Sequence, residues 1–418
     1  MLTALALPAA AGAAGGSKAP PKLDARAWIL IDARTGDALV SHASARSLPI
    51  ASTTKLMTAH IALRKLPFAK RVKTVPYSAI PSESLLGVPA GTSISVRDLL
   101  YSLILRSAND SAHTLAQFIG GTQARFVTEM NRDAAALGLA DTHYSNPIGL
   151  DSPGNYSSAR DLATLTRDLL ADRRFAKIAD STDALLTSLD PQLPITTRNT
   201  LLYRAPWIDG VKTGHTLGAG YVEVGAGRRK GVQLISAVLG APSEAARDSE
   251  SVALLDFGFG LYRERHPVRS RQTLATPSIR YSGGELALRA SHPIVVGVRR
   301  GERLRTSVRA PDEVTGPVRK GKRLGRVTVT VDGRPAGAAA LLAAKAVSEA
   351  SEFDKLRSHA LLVLALIALG GSAILVAAFA IRRRMRRVHV SEEDMEEDRE
   401  QRRILREQRR NDREGSQR

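Results

Sequence analysis

The apolar positions of this chain change rhythm twice. Near the start, Trp28-Ile29-Leu30-Ile31 and Ala38-Leu39-Val40 read as two strands, and Arg34-Thr35-Gly36-Asp37 between them carries turn chemistry, so the stretch predicts a hairpin. From Ser52 the spacing becomes helical through Leu66, with Leu56, Ala59, Ile61 and Leu63 among the apolar positions. Ser95-Val96-Arg97-Asp98 reads as a helix start, with Ser95 as the cap and Asp98 at the electropositive end. That helix runs to about Leu105; a break follows, and a further helix runs to Ile119. Asp161 to Leu170 is amphipathic at helical spacing. Gly220 to Val224 and Val232 to Val238 predict sheet strands, and Glu244 to Gly260 a closing helix packed on them.

After about Arg265 the rhythm shortens. Gly284 to Ala290, Ile294 to Val298, Leu304 to Val308 and Gly325 to Val331 are short β-rich stretches punctuated by Gly and Pro, which predicts a small all-β domain. After Gly337 an Ala-rich stretch predicts a helical stalk. Ala360 to Ile381 then carries no charge, and at about 1.5 Å per residue it is long enough for the ~30 Å hydrocarbon core of a bilayer. Arg382, Arg383, Arg384, Arg386 and Arg387 follow it, against Lys355 and Arg357 on the other side. This asymmetry predicts a single-pass protein with the tail in the cytoplasm and the large N-terminal part outside. The tail from Val388 is dense in Glu and Arg, and reads as disordered or as a solvated helix.

At the other end, Met1 to Gly16 is apolar and rich in small residues, with Ala11-Gly12-Ala13 as a cleavage signature. It reads as a secretory signal lacking its basic leading segment. The expected division is therefore a signal remnant and linker at 1–23, a main folded domain at 24–265, the β-rich domain at 266–337, the stalk at 338–359, the membrane helix at 360–381 and the charged tail at 382–418. A chain of 418 residues is long enough for such a two-domain body with extra segments.

Charge narrows the partners. A formal net charge of +19 favours anionic surfaces: nucleic acid, anionic lipid or an acidic wall polymer. No recognition-helix, zinc or aromatic RNA-platform pattern is present, which argues against nucleic acid. There is no cysteine, so neither disulfides nor thiol chemistry enter. No motif calls for a metal or a cofactor.

The chemistry lies in three short motifs. Ser52 and Lys55 are three residues apart on a predicted helix, so both side chains emerge on one face. A serine hydroxyl needs a base, and a lysine serves once burial and a second cation lower its proton affinity. Lys212 is a candidate for that second cation. Ser107 and Asn109 sit in the break between two helices; Ser107 can hydrogen-bond the lysine ammonium and relay a proton to a leaving amine, and Asn109 can anchor Lys55 and a substrate carbonyl. Lys212-Thr213-Gly214 follows Asp209-Gly210, read as a turn into an edge strand along which a substrate backbone can pair. Lys212 and Thr213 suit a terminal carboxylate, and Gly214 clears space for close approach. The backbone N–H of His215 can join that of Ser52 as an oxyanion hole. Each motif alone has a bland reading as a cap or a turn; their fixed order is what carries weight.

Longer matches surround them. Ile50-Ala51-Ser52-Thr53-Thr54-Lys55-Leu56-Met57-Thr58-Ala59, Leu105-Arg106-Ser107-Ala108-Asn109-Asp110 and Asp209-Gly210-Val211-Lys212-Thr213-Gly214-His215-Thr216 with Ala219-Gly220-Tyr221 resemble the three active-site segments of low-molecular-mass D-alanyl-D-alanine carboxypeptidases, within the penicillin-binding protein and β-lactamase superfamily. Asn146 to Asp151 and Ser158 to Leu162 also match, and the resemblance covers about Ala27 to Leu261. It implies a transpeptidase-like α/β fold, an antiparallel sheet flanked by helices with a mainly helical lobe across the cleft. Pro267 to Gly337, including Val318-Arg319-Lys320-Gly321, is similar to the family's small C-terminal β-domain.

The resemblance further implies removal of the terminal D-alanine from peptidoglycan stem pentapeptides, and acylation of the same serine by penicillins and other β-lactams. On that basis Ser52 is the nucleophile, Lys55 the general base, Ser107 the relay and Lys212 the carboxylate anchor. Arg198-Asn199 resembles a family segment near the cleft without an assigned role. Two departures stand out: a full membrane span with a charged tail replaces the family's amphipathic anchor, and the signal is incomplete. The rival readings are a D,D-endopeptidase that cuts cross-links, a β-lactamase and a catalytically idle wall-binding scaffold. No Glu-x-x-x-Asn-type base segment stands out near Asn146 to Gly154, which argues against the β-lactamase, and the intact lysines argue against the scaffold.

Overall fold

The computed structural model describes residues 19–415, without the side chains of 356–359, 361–362, 386–393 and 411–415. The signal-like segment Met1 to Gly16 lies outside the described residues. Two compact units divide the described residues: 19–272 with Ala290–Val308 and Val327–Ala339, and Thr273–Arg289 with Arg309–Arg326 and 340–415.

In the first unit, β1 (Ala27–Asp32) and β2 (Ala38–His42) form the predicted antiparallel hairpin. A 3-10 turn, Ala51–Thr54, leads into α1 (Lys55–Lys65). Next come β3 (Arg71–Lys73), β4 (Ser93–Ser95), α2 (Val96–Tyr101), a π-helical turn at Ser102–Arg106, α3 (Asn109–Gly120) and α4 (Gln123–Ala136). They are followed by α5 (Ala159–Ala171), α6 (Arg173–Ala179), β5 (Asp183–Leu186) and β6 (Leu193–Thr196). Then come β7 (Ile208–Thr216), β8 (Gly220–Arg229), β9 (Val232–Ala241), α7 (Glu244–Gly260) and β10 (Tyr262–Val268). Ser95 caps α2 as expected, its hydroxyl accepting from the Asp98 N–H at 3.1 Å.

The main sheet has the order β2-β1-β9-β8-β7, and each neighbouring pair is antiparallel. Strand alternation explains why β1 is buried along its whole length. Ala27, Ile29 and Ile31 enter one core with α1 to α5, while Trp28 and Leu30 enter a second with Leu254, Leu255 and Phe259 of α7. β9 divides likewise, Ile235, Ala237 and Leu239 on one face, Leu234 and Val238 on the other. The sheet is thus covered on both faces and β7 is left at its end, where the third motif lies.

The later strands are β11 (Thr273–Ala275), β12 (Ser278–Ile279), β13 (Leu288–Ala290), β14 (Ile294–Arg299), β15 (Leu304–Arg309), β16 (Glu313–Val314), β17 (Arg323–Val331) and β18 (Arg334–Ala343). Within the first unit β10 pairs with β14; within the second, β11 pairs with β13 and β12 runs parallel to β16. The helical stalk expected after Gly337 is corrected here. Residues up to Ala343 are strand, because Ala339, Leu341 and Ala343 are buried at a period of two, and that pattern overrides the helix propensity of alanine.

In the second unit α8 (Glu352–Gly415) is one helix of 64 residues, so the charged tail is helical over its described part. It contains Val363–Met385, 23 residues with a mean hydropathy of 2.5. Leu364, Ile367, Ile374, Leu375 and Phe379 in that stretch are all exposed.

Candidate active site

The first motif straddles the 3-10 turn and the start of α1. Lys55 Nζ donates to Ser52 Oγ at 2.9 Å and to the Ile148 carbonyl at 2.5 Å. Lys55 is fully buried, and burial, reinforced by the nearby Lys212 ammonium, holds its amine well below the ordinary lysine range. A neutral amine beside a serine hydroxyl can take the hydroxyl proton. Ile148 is presented by a tight bend in which Asn146 Oδ1 accepts from the N–H groups of Ile148 and Gly149, at 3.2 and 2.6 Å. Gly149 has φ +89°, and a Cβ there would strike the Ala51 carbonyl oxygen, so only glycine lets this bend meet the Ser52 turn.

The second motif closes the π-helical turn. Ser107 has φ 59°, a left-handed conformation that is strained for a non-glycine residue. Ala51, just before Ser52, shares it with φ 46°, so the two reactive segments each carry local strain. Ser107 Oγ accepts from Lys212 Nζ at 2.9 Å. The lysine bonded to the Ser107 hydroxyl is therefore that of the third motif. Asn109 opens α3, and its side chain does not anchor Lys55 as expected. Its Nδ2 donates instead to Glu83 Oε2 at 2.6 Å, a carboxylate brought up by the segment between β3 and β4.

The third motif lies on β7. The turn expected at Asp209-Gly210 is corrected: both residues are inside the strand, where the pairing with β8 shifts between Ile208 and Gly210 as a bulge. Lys212 is buried, and its Nζ also donates to the Thr213 carbonyl at 2.7 Å. Burial first, then the charges of Arg247 and Arg198, bring its amine down to about 7. A Cβ at Gly214 would stand 2.8 Å from the Ser52 nitrogen, so this glycine brings β7 against the Ser52 backbone. The exposed His215 stacks its ring on Tyr221, centroids 4.1 Å apart.

Behind the motif, Thr213 pairs with Glu223 across β7 and β8. Glu223 is buried and neither carboxylate oxygen has a hydrogen-bond partner; Arg247 Nε lies 3.7 Å away. Burial pushes its carboxyl up to about 8.

Ser52 with Lys55 and Ser107 with Lys212 form two bonded pairs, Gly214 lies against the Ser52 backbone with Thr213 and His215 beside it, and Asn109 is bonded to Glu83. Sequence reasoning missed Glu83, Ile148, Glu223 and Arg247. Ile148 acts through its carbonyl and leaves no side-chain signal. Glu223 did leave one, a lone charge within the apolar run Tyr221-Val222-Glu223-Val224. Arg198 donates to the Ser84 hydroxyl, on the same segment as Glu83.

Comparison with known proteins agrees with this geometry. The family described as D-alanyl-D-alanine carboxypeptidase matches residues 14–243, and that described as the penicillin-binding protein 5 C-terminal domain matches residues 262–349. The D-alanyl-D-alanine carboxypeptidase DacF of Bacillus subtilis is 30% identical over 321 residues, 74% of this chain and 82% of that protein. DacC of Escherichia coli is 31% identical over 354 residues, 80% of this chain and 87% of its own. The solved structure of the carboxypeptidase DacD from Francisella tularensis superposes with a TM-score of 0.56 at 26% identity, covering 79% of this chain and 95% of that one. Penicillin-binding protein 5 from Haemophilus influenzae gives 0.55 at 28% identity, covering 79% and 100%.

Proposed function

This chain belongs to the D-alanyl-D-alanine carboxypeptidase family of serine peptidases, and we propose that its reaction runs through an acyl-enzyme on Ser52. It is a penicillin-binding-type hydrolase of the cell wall, and its substrate is the D-Ala–D-Ala end of a peptidoglycan stem pentapeptide. Lys55, neutral through burial, takes the Ser52 proton as Oγ attacks the carbonyl of the penultimate residue. The N–H groups of Ser52 and His215 receive the developing oxyanion. Ser107 delivers its proton to the departing D-alanine amine and is reprotonated by the proton that Lys55 took from Ser52, while its bond from the Lys212 ammonium holds its hydroxyl in place. Lys212 and Thr213 hold the terminal carboxylate, while the open side of β7 pairs with the substrate backbone. Water then hydrolyses the ester. A β-lactam enters the same path and acylates Ser52.

The observation that carries this reading is the fully buried Lys55 amine 2.9 Å from Ser52 Oγ. The test is release of free D-alanine from a stem pentapeptide by the protein and by its Ser52→Ala variant. Release by the first alone supports the reading; full activity in the variant sinks it. No release by either, with penicillin still labelling Ser52, would move the substrate to a cross-link.

We further propose that Val363–Met385 crosses the membrane, with the catalytic unit outside and the charged end of α8 in the cytoplasm. The arginines that follow Ile381 support this orientation.

A further inference from the structure

Outside the three motifs, the Glu83 carboxylate bonds directly to a motif residue, Asn109. Glu83 lies on the irregular segment between β3 and β4, and its acceptors are engaged on both sides. Oε2 takes the Asn109 Nδ2 at 2.6 Å and the Tyr77 hydroxyl, and Oε1 takes the Ile80 N–H at 3.1 Å. The segment around it is fastened to α3. The Asn109 N–H donates to the Ser84 carbonyl at 2.8 Å, and Asp110 receives the N–H groups of Leu86 and Gly87, both at 2.9 Å. The Tyr77 ring packs on His113 of the same helix at 5.3 Å. A half-buried glutamate with three donors on a fastened segment is not a solvated surface charge.

Two consequences follow from chemistry. An ionised carboxylate only accepts, so Asn109 must turn its NH2 towards Glu83, and its carbonyl oxygen is then committed to the opposite side. The groups that act on Lys55 by charge are Lys212 on β7, Asp110 on α3 and Glu83. Lys212 disfavours the protonated amine and the two carboxylates favour it. Burial alone would raise the Glu83 carboxyl, but the Tyr77 and Asn109 hydrogen bonds outweigh it and the carboxyl is held below its ordinary value, so the charge persists at neutral pH.

We propose that Glu83 is a positioning residue of this active site: its carboxylate locks the Asn109 amide in one orientation and supplies a negative charge that acts on Lys55. The proposal rests on Ser52 and Lys55 being the nucleophile and base, and the test separates the two ideas. Acylation of the full chain by a β-lactam and D-alanine release are followed against pH for wild type, Glu83→Gln, Glu83→Ala and Ser52→Ala. Glu83→Gln keeps the shape and removes the charge, so the acid limb of the acylation profile moves to lower pH, because Lys55 loses its proton more readily. Glu83→Ala also frees the Asn109 amide, and a misplaced substrate contact lowers the plateau rate by about ten- to a hundredfold. A Glu83→Gln profile that superimposes on wild type overturns the proposal even if Glu83→Ala fails to fold. Glu83→Ala rates within twofold of wild type overturn the positioning role. Activity surviving in Ser52→Ala would instead remove the underlying assignment.

Discussion

Lys212 Nζ lies 2.9 Å from Ser107 Oγ, so the cation of the third motif is bonded to the hydroxyl of the second. The two residues are 105 positions apart and meet because β7 ends the sheet beside the break before α3. Removing the hydroxyl takes away the relay and one acceptor of a buried ammonium together. Ser107→Ala is expected to lower kcat for D-alanine release by about a hundredfold or more, as loss of a general acid does. A variant within threefold of wild type in a steady-state assay would refute the relay role.

The same ammonium sets a pH limit on recognition. With its amine brought down to about 7, Lys212 is half charged near neutrality in the free enzyme. An anion binds the charged form, so KM for a carboxylate-terminated peptide rises as pH rises through that value. An amide-capped peptide has no charge to lose and its KM stays flat over the same range. Parallel curves for the two substrates would show that Lys212 does not read the carboxylate.

Glu223 gives a stability signature of the opposite kind from a salt-bridged acid. Its folded value of about 8 lies above the ordinary 4.5, so the folded state binds the extra proton between them. Stability from this group is full below pH 4.5 and falls as pH rises towards about 8. Glu223→Gln removes that dependence. The variant therefore gains on wild type between pH 5 and pH 8.5 in urea-unfolding midpoints, and an unchanging difference would contradict a buried, proton-binding carboxylate.

Gly149→Ala tests the bend that presents Ile148 to Lys55. The new methyl meets the Ala51 carbonyl at a left-handed backbone position. Strain and overpacking together are expected to cost about 3 kcal/mol or more. Penicillin labelling of Ser52 should fall in whatever protein folds, since the Ser52 turn must shift. Wild-type stability and labelling would mean the bend relaxes freely.

The proposed topology is open to a clean labelling experiment, because the chain has no cysteine of its own. Ser307 and Gln401 are both exposed. In intact spheroplasts a membrane-impermeant maleimide should label Ser307→Cys at once and Gln401→Cys only after lysis. Equal labelling of both before lysis would rule out the span.

Much of this was legible along the chain wherever a signal was local. Ser95 capping α2, the apolar run of β1 and the extent of α7 depend on neighbours within a few residues. The three motifs declared their chemistry through order and type. What stayed hidden depends on distant partners. Glu83 meets Asn109 across 26 residues that include β4, α2 and the π-helical turn, and nothing local at either residue announces the pairing. The helix α4 did carry a signal, Phe126, Met130 and Ala134 at four-residue spacing behind the Thr122 cap, but it belongs to no motif and went unread. Conversely, alanines after Gly337 suggested a helix because composition was weighed above alternation.

The position of β7 has a consequence beyond catalysis. A terminal strand offers its outward N–H and C=O groups to any extended chain, including another copy of this protein or its own unfolded state. The bulge between Ile208 and Gly210 bends the strand's first part away from a straight pairing line. At the other end Asp151 pins the hairpin by accepting from the Thr216 hydroxyl and the Gly218 N–H. The open stretch is thus confined to the residues beside the Ser52 turn, and the row of groups that would otherwise seed aggregation is kept short.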